Sequence, residues 1–379
     1  MKSGIFLASL VCVAAFGSHE SSADTGPSGS NSPVPGSDGG PFVVPRSTVH
    51  LLPSQIVDQV YELRVSIPED YGNDNGLRPV IYALDGQWNF NLISDIVGKL
   101  AFDGLIPDPI VVAVTWAGAG AQPAAQRSRD FTPVVTPRLP GSGGGAKFLK
   151  VLETEVFPFV ESHYRASHER VITGGSLGGL FVGYALVERP DLFRGYVASS
   201  GAFDLARDYF TQRLQELPPD ALRDEHAYFT VGSQYDVEDV VKEFVGDLEA
   251  ATDNSPNIDL DVIKGVGHTG NEPFAYTRGL IHAFQRERLH LGQRFLKRYE
   301  GAYFDPTAPD LPDLVVDAVD GQLHIVEDGD EWPFVFYADT PEHFYAVGYD
   351  VDLTFHPEGQ GNLAFTLSYR RTSYEQVRR

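Results

Sequence analysis

The run Gly174-Gly175-Ser176-Leu177-Gly178 constrains this chain more than any other stretch. It reads G-x-S-x-G. Val171 and Ile172 precede it as a short apolar run suited to a buried strand, and Leu177, Leu180, Phe181, Tyr184 and Val187 follow at helical spacing until Pro190. The spacing predicts a strand, a sharp turn and a helix. Glycines on both sides permit the turn, which lifts the serine oxygen above the sheet edge, and the helix start offers N–H groups to a developing negative charge. A chain with 38 glycines can produce such a string by chance, but the strand before it and the helix after it favour a nucleophile.

A serine hydroxyl needs a base to take its proton, and the base needs an acid to hold its tautomer. His268 is the candidate base, in the Gly-flanked loop after the last strand of the region (Ile258, Leu260, Val262). The other ten histidines lack that setting. Asp236 is the candidate acid, just past the strand Tyr228-Phe229-Thr230-Val231; it is preferred to Glu238 for its nearness to the strand end, although Asp236, Glu238 or Asp239 could instead cap the following helix. The backbone N–H of Leu177 is the first candidate oxyanion donor. The second is Gln87, in the Asp85-Gly86-Gln87 turn after the strand Val80–Leu84. Arg127 and Trp88 are the candidate substrate contacts.

Runs of Val and Ile without alternation at 80–84 and 110–114 indicate strands covered on both faces, and the helical spacing of Asn91 to Phe102 lies between them. Strands alternating with helices predict a mostly parallel α/β sheet, and with the serine turn an α/β-hydrolase fold. Ala117 to Gly145 reads as one long Gly- and Pro-rich loop. After Arg298 the pattern changes to period-two alternation, with Asp320-Gly321 and Asp328-Gly329 as hairpin turns, which predicts a small antiparallel β domain.

The 52 acidic residues face 29 basic ones, a net charge of −23, which argues against nucleic acid and anionic membrane surfaces as partners. No metal motif, cysteine cluster or dinucleotide fingerprint occurs, so no cofactor is expected. Lys2 followed by the apolar Ile5 to Phe16 reads as a secretory signal over residues 1–23, placing the protein outside the cell or in the periplasm. That run is too short to span a bilayer and holds the one cysteine, Cys12. A Gly/Ser/Pro-rich leader over 24–45, a catalytic domain over 46–290 and a β domain over 291–379 complete the expected organisation.

Four segments together resemble the putative-esterase family: Leu84-Asp85-Gly86, Arg127-x-x-Asp130-Phe131-Thr132-Pro133, Gly174 to Gly179, and Gly267-His268. That family includes siderophore, feruloyl and acetyl-xylan esterases, and the R-x-x-D-F-T-P segment is most similar to the siderophore branch. The resemblance implies Ser176 as nucleophile, His268 as base, and Leu177 and Gln87 as oxyanion donors, while some siderophore esterases of the family manage with Ser and His alone. It implies a small-molecule or glycan ester as substrate: siderophore lactones first, then plant-wall feruloyl or acetyl esters. Arg127 would meet an acidic or phenolic substrate, or form a salt bridge with Asp130. Gly175 departs from relatives that carry His before the serine. Tyr299-Glu300-Gly301-Ala302-Tyr303 and the strand rhythm after it resemble the lipocalin-like β-barrel appended to some secreted β-lactamase-type hydrolases. Acyl transfer to a hydroxyl acceptor, or ligand binding without turnover, would draw on the same fold.

Overall fold

The computed structural model describes residues 43–379, apart from 74, 119–120, 235–236, 254, 256, 287, 331–332, 349–350, 359–361 and 370–371. The described chain divides into two compact units, Val43–Gln285 and Arg286–Arg379.

The first unit is built on an eight-stranded sheet in the order β1-β2-β4-β3-β5-β6-β7-β8. β1 (Ser47–Pro53) and β2 (Val60–Ser66) are antiparallel additions at one edge. From β4 (Ile110–Ala117) onward, β3 (Arg78–Ala83), β5 (Ala166–Gly175), β6 (Gly195–Ser199), β7 (His226–Gly232) and β8 (Ile258–Ile263) run parallel. β3 is buried at every position because successive side chains enter two different cores. Val80, Tyr82 and Leu84 face one of them, with Phe148, Phe181 and Phe244 from helices α3 (residues 145–163), α4 (Leu177–Glu188) and α6 (Glu238–Ala251). Ile81 and Ala83 face the other, with Phe90 from α1 (Gly86–Phe102) and Tyr276 and Leu280 from α7 (residues 272–283). The remaining helices of the unit include α2 (Pro123–Asp130) and α5 (Arg207–Glu216).

The segment expected to be one loop from Ala117 to Gly145 therefore contains α2, started by Pro123 at its first turn. β1 was also unforeseen. It is an edge strand whose Val49 and Leu51 point outward, 62% and 59% exposed, so its alternation does not mark a core face.

The second unit is a closed antiparallel barrel in the order β10-β11-β12-β13-β14-β15-β16-β9. β10 (Leu314–Val319) and β11 (Gln322–Glu327) are joined through Asp320 and Gly321, with φ of 48° and 82°. Two positive φ values make the two-residue hairpin turn that matches strand twist, as the Asp-Gly pair predicts. β12 (Phe334–Ala338), β13 (His343–Ala346), β14 (Val351–Glu358) and β15 (Asn362–Tyr369) follow as a meander. β16 (Thr372–Arg378) pairs with both β15 and β9 (Gly301–Phe304), which closes the ring. Tyr299, Tyr303, Phe336, Phe344, Phe355 and Phe365 pack in its interior. Among the described residues, no helix is long and apolar enough to cross a membrane.

Candidate active site

The site is assembled where the parallel strands end. β5 delivers Gly174 and Gly175 beside Ala198 and Ser199 of β6, and the chain then reverses through Ser176 into α4. Ser176 holds φ 58° and ψ −114°, a conformation that side-chain-bearing residues avoid. Its surroundings hold it there: Ser176 N–H donates to Ser199 O (2.8 Å), and Ala202 and Leu180 N–H donate to Ser176 O (3.1 and 2.9 Å). The turn is tight enough that a Cβ on Gly174 would stand 2.7 Å from the carbonyl carbon of Gly178. This is the elbow geometry that exposes a serine hydroxyl at a sheet edge.

Leu177 is the first residue of α4, so its N–H has no intrahelical acceptor. Gln87 occupies the equivalent first turn of α1, which starts at the end of β3, the strand next to β5. Two helix N-termini therefore open side by side on adjacent strands, about 5 Å apart at the sheet. Asp85, in the left-handed region at φ 57°, makes the turn into α1, and Thr115 Oγ1 donates to Gln87 Oε1 (2.6 Å), tethering that first turn. The arrangement offers N–H groups, with the positive ends of two helix dipoles, to an oxyanion formed on the serine side. Trp88, next along α1, is 63% exposed.

His268 lies in the turn after β8, half-buried. The segment carrying it runs back across the carboxyl ends of the strands. Gln234 N–H, just past β7, donates to Val266 O (3.0 Å), and Gly265 N–H donates to Ser233 Oγ (3.0 Å). Three residues after His268, the buried Asn271 spreads its Nδ2 over Ser199 Oγ (2.8 Å), Ser200 Oγ (3.2 Å) and Thr230 Oγ1 (2.9 Å), at the ends of β6 and β7. At Glu272 the segment reaches the serine turn itself, where a side chain on Gly175 would collide with Glu272 Oε1. His268 thus sits on a span fixed at β7 behind it and at the elbow ahead of it. Asp236, the predicted acid, lies outside the described residues. Glu238 begins α6, where it pairs with Lys242 (2.5 Å), as a helix-start acid does.

Arg127 does not pair with Asp130. Its Nε donates to Asp85 Oδ1 and Oδ2 (2.8 and 2.9 Å) and its Nη2 to Gly175 O (3.0 Å). Asp130 is taken instead by the adjacent Arg129 (2.7 Å), by Tyr61 Oη (2.9 Å) and by Trp116 Nε1 (2.8 Å). Two residues apart on α2, about half a turn, the two arginines point to opposite sides, one toward the serine turn and one into the core. Arg127 also lies over the Trp88 ring, 5.6 Å from its centroid. Both predicted substrate contacts therefore stand together at the rim of the elbow. Burial raises the Asp85 carboxyl above the ordinary carboxylate range, against the opposing pull of Arg127. Burial, reinforced by the Asp85 charge, also raises Glu272, to about 7.

Sequence reading did not single out Asn271, Glu272 or Asp85 as side chains of the site. Glu272-Pro273 looks like an ordinary helix start, and only the missing side chain at Gly175 hints that something fills its place.

Residues 54–246, slightly more than half of the chain, match the family described as "Putative esterase". The ferri-bacillibactin esterase BesA of Bacillus subtilis is 24% identical over 273 residues, covering 66% of this chain and 93% of that protein. The siderophore triacetylfusarinine C esterase of Aspergillus fumigatus is 33% identical over 147 residues, covering 37% of this chain and 50% of its own. The crystal structure of the BES protein from Bacillus cereus superposes with a TM-score of 0.56 at 22% identity, over 65% of this chain and 99% of that one, which establishes the α/β-hydrolase fold of the first unit. The chain belongs to the putative-esterase family and is a carboxylic ester hydrolase.

Proposed function

We propose that the protein is a secreted siderophore esterase that works through an acyl-enzyme on Ser176. The observation that carries the substrate class is the match to bacterial and fungal proteins named as siderophore esterases.

In the proposed cycle Ser176 Oγ attacks the ester carbonyl carbon while His268 takes the hydroxyl proton. The carbonyl π electrons move onto oxygen, and the N–H groups of Leu177 and Gln87 receive the oxyanion. Collapse of the tetrahedral species breaks the bond to the alkoxy oxygen, which leaves as an alcohol carrying the proton from His268. Water then attacks the acyl-enzyme, His268 accepts its proton, and a second collapse returns that proton to Ser176 and frees the carboxylic acid. Asp236 supplies the negative charge that orients His268. Trp88, exposed and backed by Arg127, offers a flat face to an aromatic acyl group. Residues 1–23 direct export and are removed.

The test is product analysis by mass spectrometry with a catecholate trilactone siderophore, in free and ferric forms, beside p-nitrophenyl acetate and a methyl ferulate control. Ring-opened and monomeric acids formed by wild type and absent with Ser176→Ala are the expected result. Turnover of ferulate or acetyl esters with the trilactone untouched would move the substrate to plant-wall esters. An ester product with an added alcohol would indicate acyl transfer. Failure of a fluorophosphonate probe to label Ser176 would sink the nucleophile assignment. The mass of the exported protein, expected to start at Asp24, tests the signal.

A further inference from the structure

A side chain before the nucleophilic serine would enter a space that Gly175 itself leaves open. Here the space is not empty. Glu272 brings its Oε1 into it from the segment that also carries His268, four residues earlier. The carboxyl group has no part in the proton transfers described above, yet it stands against the backbone of the residue next to the nucleophile. On the other side of the same residue, Arg127 Nη2 donates to Gly175 O (3.0 Å).

We propose that Glu272 is a positioning residue of this site: with its carboxyl group in the side-chain space of Gly175, it pins the segment carrying His268 onto the nucleophile turn. The proposal rests on the roles given to Ser176 and His268. The pin is sensitive to charge. Among the described residues, the ionisable groups facing Glu272 are Asp85 from the start of α1, Arg127 from α2 and the buried Tyr276 from its own helix. Arg127 is already committed to both oxygens of Asp85, so an ionised Glu272 adds a second buried negative charge to one cation. Burial and the Asp85 charge keep Glu272 neutral up to about pH 7. Above that pH the two carboxylates repel, and the contact at Gly175 loosens.

The experiment uses the mature protein and p-nitrophenyl acetate, with kcat and KM followed against pH by pH-stat. Wild type is expected to lose kcat on the alkaline side as Glu272 ionises. Glu272→Gln, isosteric and neutral at every pH, is expected to lack that fall. Glu272→Ala is expected to lower kcat by about 10- to 100-fold with little change in KM, the scale of a small misplacement of catalytic groups. Gly175→Ala is expected to displace the carboxyl group and lower kcat in the wild-type background to about the level of Glu272→Ala, and to add little in Glu272→Ala, where the space is vacant. An alkaline fall identical in wild type and Glu272→Gln would overturn the proposal, as would additive effects of Gly175→Ala and Glu272→Ala. Loss of turnover in Ser176→Ala is scored separately, so the nucleophile assignment stands or falls on its own.

Discussion

Arg127 grips Asp85 through Nε, 2.8 and 2.9 Å from its two carboxylate oxygens, and with Nη2 holds the Gly175 carbonyl one residue before the nucleophile. Asp85 is only 2% exposed, and among the described residues the Arg127 guanidinium is the cation paired with it, beside a longer hydrogen bond from Gln87 Nε2 (3.5 Å). Arg127→Ala is expected to cost about 3–5 kcal/mol of stability, the penalty for orphaning a buried charge. Urea unfolding checks this, and Arg127→Ala combined with Asp85→Ala should be less destabilised than the sum of the single variants. Arg127→Lys should rescue little, since an ammonium group cannot reproduce the fork that reaches both carboxylate oxygens and a carbonyl.

Ser176 carries its side chain at a positive φ. Ser176→Ala and Ser176→Gly should both abolish turnover, but glycine relieves the backbone. Ser176→Gly is expected to be more stable to denaturant than Ser176→Ala, by about 1–3 kcal/mol. Equal midpoints for the two variants would show that the turn is relaxed.

Asn271 Nδ2 serves three buried hydroxyl groups at the ends of β6 and β7. Asn271→Ala leaves them unpaired and frees the segment that carries His268. A loss of about 1–3 kcal/mol in stability is expected from the unpaired groups. It should be accompanied by a fall in kcat larger than any change in KM, read from the kinetics of p-nitrophenyl acetate.

His226, buried at the start of β7 and edge-on to His282 with ring centroids 5.4 Å apart, is lowered from 6.5 to about 4 by burial, with His282 and Arg194 adding to the effect. The folded protein keeps this ring neutral while the unfolded chain protonates it below 6.5. Its contribution to stability is therefore intact above about pH 6.5 and is lost as pH falls toward 4. Denaturant midpoints of wild type and His226→Gln, compared at pH 7 and pH 4.5, should show wild type losing more on acidification.

The catalytic fold was readable because its signals are local. The serine turn lies between an unbroken apolar strand and a helix, and His268 follows a strand within a glycine-flanked loop. The Asp320-Gly321 turn likewise declares its own backbone angles. What escaped depends on partners distant in sequence. Glu272 is ordinary until Gly175 lies beneath it, and Arg127 could not be matched to Asp85 rather than Asp130 without knowing which side of α2 each faces. The barrel strands β9 and β13 are four residues long, too short to show alternation, and β13 buries Phe344, Tyr345 and Ala346 consecutively. β16, Thr-Ser-Tyr-Glu-Gln-Val-Arg, is too polar to announce a strand. Its place is set by the two edges that receive it.

That last placement has a consequence for synthesis on the ribosome. β9 can take β10 as a neighbour as soon as a short stretch of chain has emerged, but its other edge waits for Val377 and Arg378. The sheet of the first unit, by contrast, has all its strands once Ile263 is made. The esterase unit can fold while the barrel is still an open, unzipped ribbon with two bare edges, and ring closure, the pairing with the longest loop to draw together, comes last. A chain halted within β14 or β15 would thus carry a complete first sheet attached to a half-barrel with two bare edges, a form open to edge pairing and aggregation.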